Sequence, residues 1–149
     1  MTPHYKSKTL AAWLAFLAGG FGAHRFYLYG LRDRLAWLHG VPTTLGLWGL
    51  WRARELGQDD MLSWLLLPLL GAALSAAMLA GIVYGLMPDE RWNARYNAAS
   101  PTQHRSGWAV IFAVVSCLMV GAGLLMSTLA YSGQRYFEYQ IEAARAISQ

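Results

Sequence analysis

The stretch GGFGAHRFYLYG, residues 19–30, places an imidazole and a guanidinium near the end of a long apolar run. Residues 9–31 contain no other charged or histidine side chain than His24 and Arg25. A charge within an apolar segment of this length is costly in a membrane unless it reaches water or a partner. The stretch therefore predicts either a membrane boundary or a functional site.

Three further apolar runs follow, over residues 35–51, 61–87 and 107–132, and none contains Asp, Glu, Lys or Arg. Charged residues are only 13% of the 149-residue chain, against about 25% in a typical soluble domain. The runs are continuous rather than alternating, which favours helices over barrel strands. The sequence thus predicts an all-α membrane protein with four transmembrane helices arranged as two helical hairpins.

The predicted organisation has three parts. A first helix pair occupies residues 6–56, with spans at about 9–31 and 35–51, and a second hairpin occupies 61–132, with spans at about 61–87 and 107–132. Residues 133–149 form a helical extension that either continues the fourth helix or lies along the membrane surface. Four crossings put both termini on the side of the 52–60 connection, with six cations on each side, so the positive-inside rule gives a tie.

Small residues recur every fourth position in three of the runs. Such stripes form shallow grooves that let helix backbones approach closely, the main source of helix association in lipid. They predict helix packing, either within one subunit or between chains. The packing residues we expect are Ala15, Gly19, Ala77, Gly81, Ala113, Cys117 and Gly121.

The role of Arg25 has three alternatives. In a straight helix it lies about 24 Å into a hydrocarbon core of about 30 Å, so its side chain can reach the interface as an anchor beside Phe26 and Tyr27. It can instead hold a corner, by pairing with Asp33 or by capping carbonyls of the next helix. It can also bind a lipid phosphate or a partner's carboxylate.

This element resembles the TM-two domain family, whose core is a pair of membrane helices with an Asp- or His-Arg-Phe element between them. The resemblance covers about residues 6–51, and the residues that carry it are Gly22, Ala23, His24, Arg25, Phe26, Tyr27 and Gly30. The family usually has an acidic residue after its Gly-hydrophobic-Trp segment, where this chain has Arg52 and Arg54. The resemblance implies a membrane module and no particular reaction, with His24, Arg25, Phe26, Tyr27 and Asp33 as a structural anchor.

The sequence contains no motif for catalysis, for a cofactor or for a metal ion. No carboxylate lies within an apolar run, which disfavours an ion-coupled carrier, and the four histidines lack metal-ligand spacing. The twelve cations are spread over every connection, which favours lipid headgroups over nucleic acid. We therefore predict a non-catalytic accessory, assembly or stabilising subunit that packs against other membrane proteins or itself, in a bacterial inner membrane. The alternative is a homo-oligomeric channel or a lipid-handling protein, with polar groups on the second run.

Overall fold

The structure, a computed structural model, describes residues 5–57 and 59–147. Gln58 of the predicted 52–60 connection and residues 148–149 of the predicted extension lie outside the described residues. The described part is helical, with no strand. Its elements are α1 (Lys8–Ala18), a 3₁₀ turn (Gly19–Phe21), α2 (Ala23–Tyr29), α3 (Arg34–Leu56), α4 (Met61–Leu86), α5 (Asp89–Tyr96) and α6 (Trp108–Ile147).

The first apolar run folds back on itself. α1 begins after Ser7, whose side chain accepts a hydrogen bond from the Leu10 amide, and it ends at the 3₁₀ turn. α2 then returns along α1, so that Leu28 packs beside Ala11 and the Tyr27 hydroxyl accepts a hydrogen bond from the Ser7 amide. The run that the sequence predicts as a single span at about 9–31 is therefore two helices joined by a turn.

The tip of this α1–α2 hairpin reaches the middle of α4. A methyl group on Gly19 would lie 2.6 Å from Cβ of Ala77, and one on Gly20 would lie 2.9 Å from Leu74. The other end of α1 lies beside the last residues of α4, because Nζ of Lys8 donates a hydrogen bond to the Met87 carbonyl. The hairpin thus runs along only half the length of α4.

α3 and α4 form an antiparallel pair with close backbones. Gly46 and Gly49 of α3 lie against Leu70 and Leu66 of α4, with no room for a side chain at either glycine. The two glycines of this face are three residues apart, so they are not part of a four-residue stripe.

α6 packs antiparallel to α4 on another side. Cys117 lies against Gly81, and Gly121 lies against Met78. α6 is one 40-residue helix that ends at Ile147. Of the two alternatives for the extension, the described part therefore continues the last helix and is not a separate surface helix. Because α1, α3 and α6 all contact α4, the helices form one bundle around α4 rather than two separate hairpins.

The bundle has two ends. The α5 end contains residues 5–8, 25–37 and 84–108, and the opposite end contains residues 52–57, 59–64 and 131–147. The first described residues lie at the α5 end, whereas α6 finishes at the opposite end. The four crossings expected from the sequence would instead put the first described residues and the end of α6 at the same end of the bundle.

Within the described residues, two helices are long and apolar enough to cross a membrane, by length and composition. They are α4, with 26 residues, and α6.

Candidate functional site

The turn between α1 and α2 depends on Gly22. Its φ of 76° lies in the left-handed region, and its amide donates a hydrogen bond to the Gly19 carbonyl at 2.8 Å. A Cβ at this position would also collide with the Ala36 carbonyl of α3. Only glycine meets both conditions without strain. This turn decides where the following His-Arg-Phe-Tyr element points.

Arg25 fastens α2 to the start of α3. Its Nε donates a hydrogen bond to Oδ2 of Asp33 at 2.8 Å, and its guanidinium lies 5.0 Å from the ring centre of Tyr29. Asp33 is also the N-cap of α3, since its other oxygen accepts the Leu35 amide at 3.0 Å. The hydrogen bond from Arg25 lowers the pKa of the Asp33 carboxyl below its usual value. Among the alternatives for Arg25, the structure contains the corner pair with Asp33.

The other members of the element contact three different parts of the bundle. The His24 ring is 1% exposed and lies 5.6 Å from the ring of His39 on α3 and 5.8 Å from that of Tyr84 on α4. Phe26 packs edge-to-face on Trp37, with ring centres 5.0 Å apart. Tyr27 binds the segment before α1 through its hydroxyl. Four consecutive side chains therefore join α2 to α3, α4 and the amino-terminal segment.

The predicted packing residues meet inside the chain. All seven are buried: Ala15, Gly19, Ala77, Gly81, Ala113, Cys117 and Gly121. A methyl group on Gly81 would lie 2.6 Å from Sγ of Cys117 and 3.2 Å from Cβ of Ala15, so three stripes converge at one point. The small-residue grooves of α1, α4 and α6 are thus occupied by intrachain contacts.

The α5 end contains a buried polar network that sequence reasoning missed. Lys8 is only 2% exposed and pairs with Asp89 at 2.6 Å. Trp92 is fully buried, and its Nε1 donates to the Lys6 carbonyl at 2.9 Å. A tryptophan within a polar connection is the one signal that could have revealed this packing.

Two asparagines of this network tie α5 and its end to the segments that precede α6 and α1. The Asn93 side chain donates to the His104 carbonyl at 2.9 Å and accepts the His104 amide at 2.7 Å. Asn97 accepts the Lys6 amide at 2.7 Å and donates to the Lys6 carbonyl at 3.1 Å. The connection from 88 to 106 is therefore an ordered cap over α1 and α4.

The opposite end is organised by one bidentate ion pair. Arg52 at the end of α3 donates to both carboxylate oxygens of Asp60 at 2.9 and 2.7 Å. Asp60 is also the N-cap of α4, where it accepts the Ser63 amide at 2.8 Å. Asp60 thus fills the helix-start role that its position before the third run predicts.

The described residues contain no group of three or more His, Cys, Asp and Glu side chains placed to hold a metal ion. The geometry of the His-Arg-Phe-Tyr element is that of a joint between helices, in which Nε of Arg25 and the Tyr27 hydroxyl bind other parts of the chain.

Comparison with known proteins identifies the amino-terminal module. Residues 4–53 match the family model of the TM2 domain, which confirms the resemblance to the TM-two domain family. The matched residues, about a third of the chain, form the α1–α2 hairpin and most of α3. The match and the two long apolar helices together indicate a membrane protein. No curated protein and no solved structure matches the chain.

Proposed function

We propose that this protein is a non-catalytic integral membrane subunit that binds another membrane protein through the carboxyl-terminal part of α6. The observation that carries the proposal is the exposure of that part. Every residue from Tyr139 to Ile147 is exposed while remaining helical. A helix of 40 residues is about 60 Å long, twice a hydrocarbon core of about 30 Å.

The exposed end of α6 gains little stability from contacts with the rest of the described chain. Packing against other elements supplies most of the stability of a helix in a protein, and residues 139–147 are exposed throughout. The described end also presents large apolar side chains to solvent, with Ile141 52% and Ile147 87% exposed. A protein partner that packs on this segment would cover both isoleucines.

The membrane arrangement we propose has three crossings. α3, α4 and α6 would each cross, since even the 23 residues of α3 extend about 35 Å. The α1–α2 hairpin would enter and return without crossing. Its irregular tip suits this depth because protein covers it, and Thr43 donates a hydrogen bond to the Gly20 carbonyl. This arrangement replaces the four transmembrane helices expected from the sequence.

The intrachain packing changes which surface supports partner binding. The three stripes first suggested it, but their small residues are already covered by α1, α4 and α6. The outer face of α6 and its extension are not covered by these contacts. The polar residues of the second run, which would line a channel, do not share one surface of the structure. Thr43 and Gly46 are buried, whereas Thr44 is exposed. We therefore favour a subunit over the homo-oligomeric channel or lipid-handling alternative.

We propose a bacterial inner membrane as the location, because the chain is rich in Arg, Ala and Leu and poor in Lys.

A photo-crosslinking amino acid at Ile141 tests the proposed partner binding in native membranes. The expected result is a discrete protein adduct from position 141 and none from a matched probe at Ala98, which is exposed at the α5 end. The adduct should disappear when Ile141 and Ile147 are changed to Asn and persist in Gln140→Ala. Lipid adducts alone from position 141 would contradict the proposal.

A further inference from the structure

Because the first run folds back, the two ends of the bundle carry different net charges. The α5 end carries eight cations and three acidic residues, whereas the opposite end carries four cations and five acidic residues. The net charges are +5 and −1. The cations of the α5 end are Lys6, Lys8, Arg25, Arg32, Arg34, Arg91, Arg95 and Arg105. The tie expected from the sequence required the first run to cross, which would have put Lys6 and Lys8 at the other end.

The cations of the α5 end also differ in how they are paired. Lys8 and Arg25 are neutralised within the chain by Asp89 and Asp33. By contrast, five exposed arginines of this end form no ion pair with the described residues: Arg32, Arg34, Arg91, Arg95 and Arg105. The guanidinium of Arg95 lies over the Tyr96 ring at 5.4 Å, whereas the other four have no such partner. At the opposite end Arg52 is held by Asp60 and Arg135 by Glu138. The unneutralised positive charge is thus concentrated at one end.

The surroundings of two of these arginines are those of a membrane interface. Leu31 is 75% exposed and Trp37 is 63% exposed, on either side of Arg32 and Arg34. An exposed indole beside guanidinium groups suits the headgroup layer, where the ring lies among acyl carbonyls and the cations reach phosphates. The same pattern is repeated at the start of α6, where Trp108 is 74% exposed and follows Arg105.

We propose that the α5 end is an anionic-phospholipid surface, on which Arg32, Arg34, Arg91 and Arg105 bind headgroup phosphates. This surface places the α5 end at the cytoplasmic leaflet, which is the more anionic one, and the extension of α6 on the outer side. The inference rests on the membrane placement proposed above and is independent of any protein partner.

The test uses the full chain reconstituted in vesicles, without other proteins. A fluorescent donor is attached to Ala98→Cys at the α5 end, and in a second sample to Gln140→Cys at the opposite end. The native Cys117 is fully buried, so we expect it to react little with the dye. Labelling of the unsubstituted chain measures that background. Energy transfer is compared for headgroup-labelled phosphatidylglycerol and headgroup-labelled phosphatidylcholine in otherwise identical mixed vesicles.

We expect phosphatidylglycerol to be enriched about fivefold or more around position 98, the effect of one basic residue at an anionic surface, and not around position 140. The enrichment should fall with added salt. It should be lost when the four arginines are changed to Gln and kept in Arg54→Gln, an exposed arginine of the opposite end. Equal enrichment at both ends would overturn the proposal. So would enrichment that persists when all four arginines are changed to Gln.

An acidic protein partner on the same surface gives a different result. In that case phosphatidylglycerol would not be enriched around position 98 in the vesicles. The variant with all four arginines changed to Gln would instead lose a protein that co-purifies with the parent chain from native membranes. That outcome would also overturn the lipid assignment, and it would leave the crosslinking result at Ile141 unaffected.

Discussion

Nζ of Lys8 lies 2.6 Å from Oδ1 of Asp89, an ion pair that joins the start of α1 to the start of α5 across 81 positions of sequence. The ammonium is almost fully enclosed, with its side chain 3% exposed, while the carboxylate side chain is 28% exposed. Lys8 also donates to the Met87 carbonyl, and Asp89 also accepts from Ser106. The amino-terminal end of the α1–α2 hairpin is therefore held in place by one buried cation.

Removing Asp89 should cost more than removing Lys8. Asp89→Asn leaves the enclosed ammonium of Lys8 without its counter-charge, which should lower the free energy of unfolding by about 2–3 kcal/mol. Lys8→Met leaves a carboxylate that can still reach water and Ser106, so its cost should be smaller. Thermal unfolding in detergent measures both. Glu90→Gln, an exposed neighbour, serves as the control, and equal losses for all three would contradict the assigned role of the pair.

The stability of the protein should fall in acid through Asp89. Burial raises the pKa of this carboxyl, but the hydrogen bonds from Lys8 and Ser106 outweigh burial and bring the pKa down to about 2. A carboxyl whose pKa is lowered by folding adds stability above its unfolded value, about 4, and that stability is lost as the pH falls from about 4 to about 2.

The matching measurement is the unfolding temperature from pH 5 down to pH 2, compared between the parent chain and Asp89→Asn. Other carboxyls with lowered pKa values, such as Asp33 and Asp60, titrate in both proteins. The difference between the two curves should therefore shrink as the pH falls. A constant difference over this range would show that Asp89 is not held ionised by its partners.

Two glycines of α6 allow a direct test of the helix packing. A methyl group on Gly121 would lie 2.7 Å from Cβ of Met78 on α4, whereas nothing lies within 4 Å of one on Gly123. Gly121→Ala should lower the free energy of unfolding by about 1–3 kcal/mol through overpacking. Gly123→Ala should be neutral or stabilising by up to about 1 kcal/mol, because alanine is the better helix former. Similar effects of the two substitutions on thermal unfolding would argue against the α4–α6 contact.

The fold-back of the first run predicts which residues share a side of the membrane. Cysteines at Tyr5 and Ala98 should react with a membrane-impermeant maleimide from one side, and a cysteine at Gln140 should react from the other. If the α5 end is cytoplasmic, only Gln140→Cys is labelled in intact cells, and the other two are labelled after the membrane is opened. Four crossings would instead pair Tyr5 with Gln140, so co-labelling of those two positions would exclude the three-crossing arrangement.

The turn itself should respond to substitution at Gly22. Gly22→Ala places a side chain in the left-handed region and against the Ala36 carbonyl, which should destabilise the protein by about 1–3 kcal/mol. Gly107→Ala is the control, because a methyl group there meets nothing within 4 Å and its φ carries no such constraint. Thermal unfolding in detergent compares the two, and an unchanged unfolding temperature for Gly22→Ala would mean that α1 and α2 do not need this turn.

The sequence by itself determined the helical class and the approximate positions of α3, α4 and the apolar part of α6, but neither the break in the first run nor α5. Long uncharged runs require helices in lipid, because every backbone polar group must then be satisfied within its own segment. The stripes marked residues that are buried, and GAHRFY marked the TM2 domain. The Arg25–Asp33 pair was accessible as an alternative because only eight positions separate its members, a distance that a single turn spans.

Only the tertiary structure decided the path of the chain. An apolar run of 23 residues is compatible with crossing a membrane or with folding back, and the left-handed conformation of Gly22 beside Ala36 selects the second. The contact of Lys8 with Asp89 and the burial of Trp92 depend on pairing between segments far apart in sequence, which local pattern does not encode. Because that single reversal moves two lysines from one end of the bundle to the other, the distribution of charge became visible only in three dimensions.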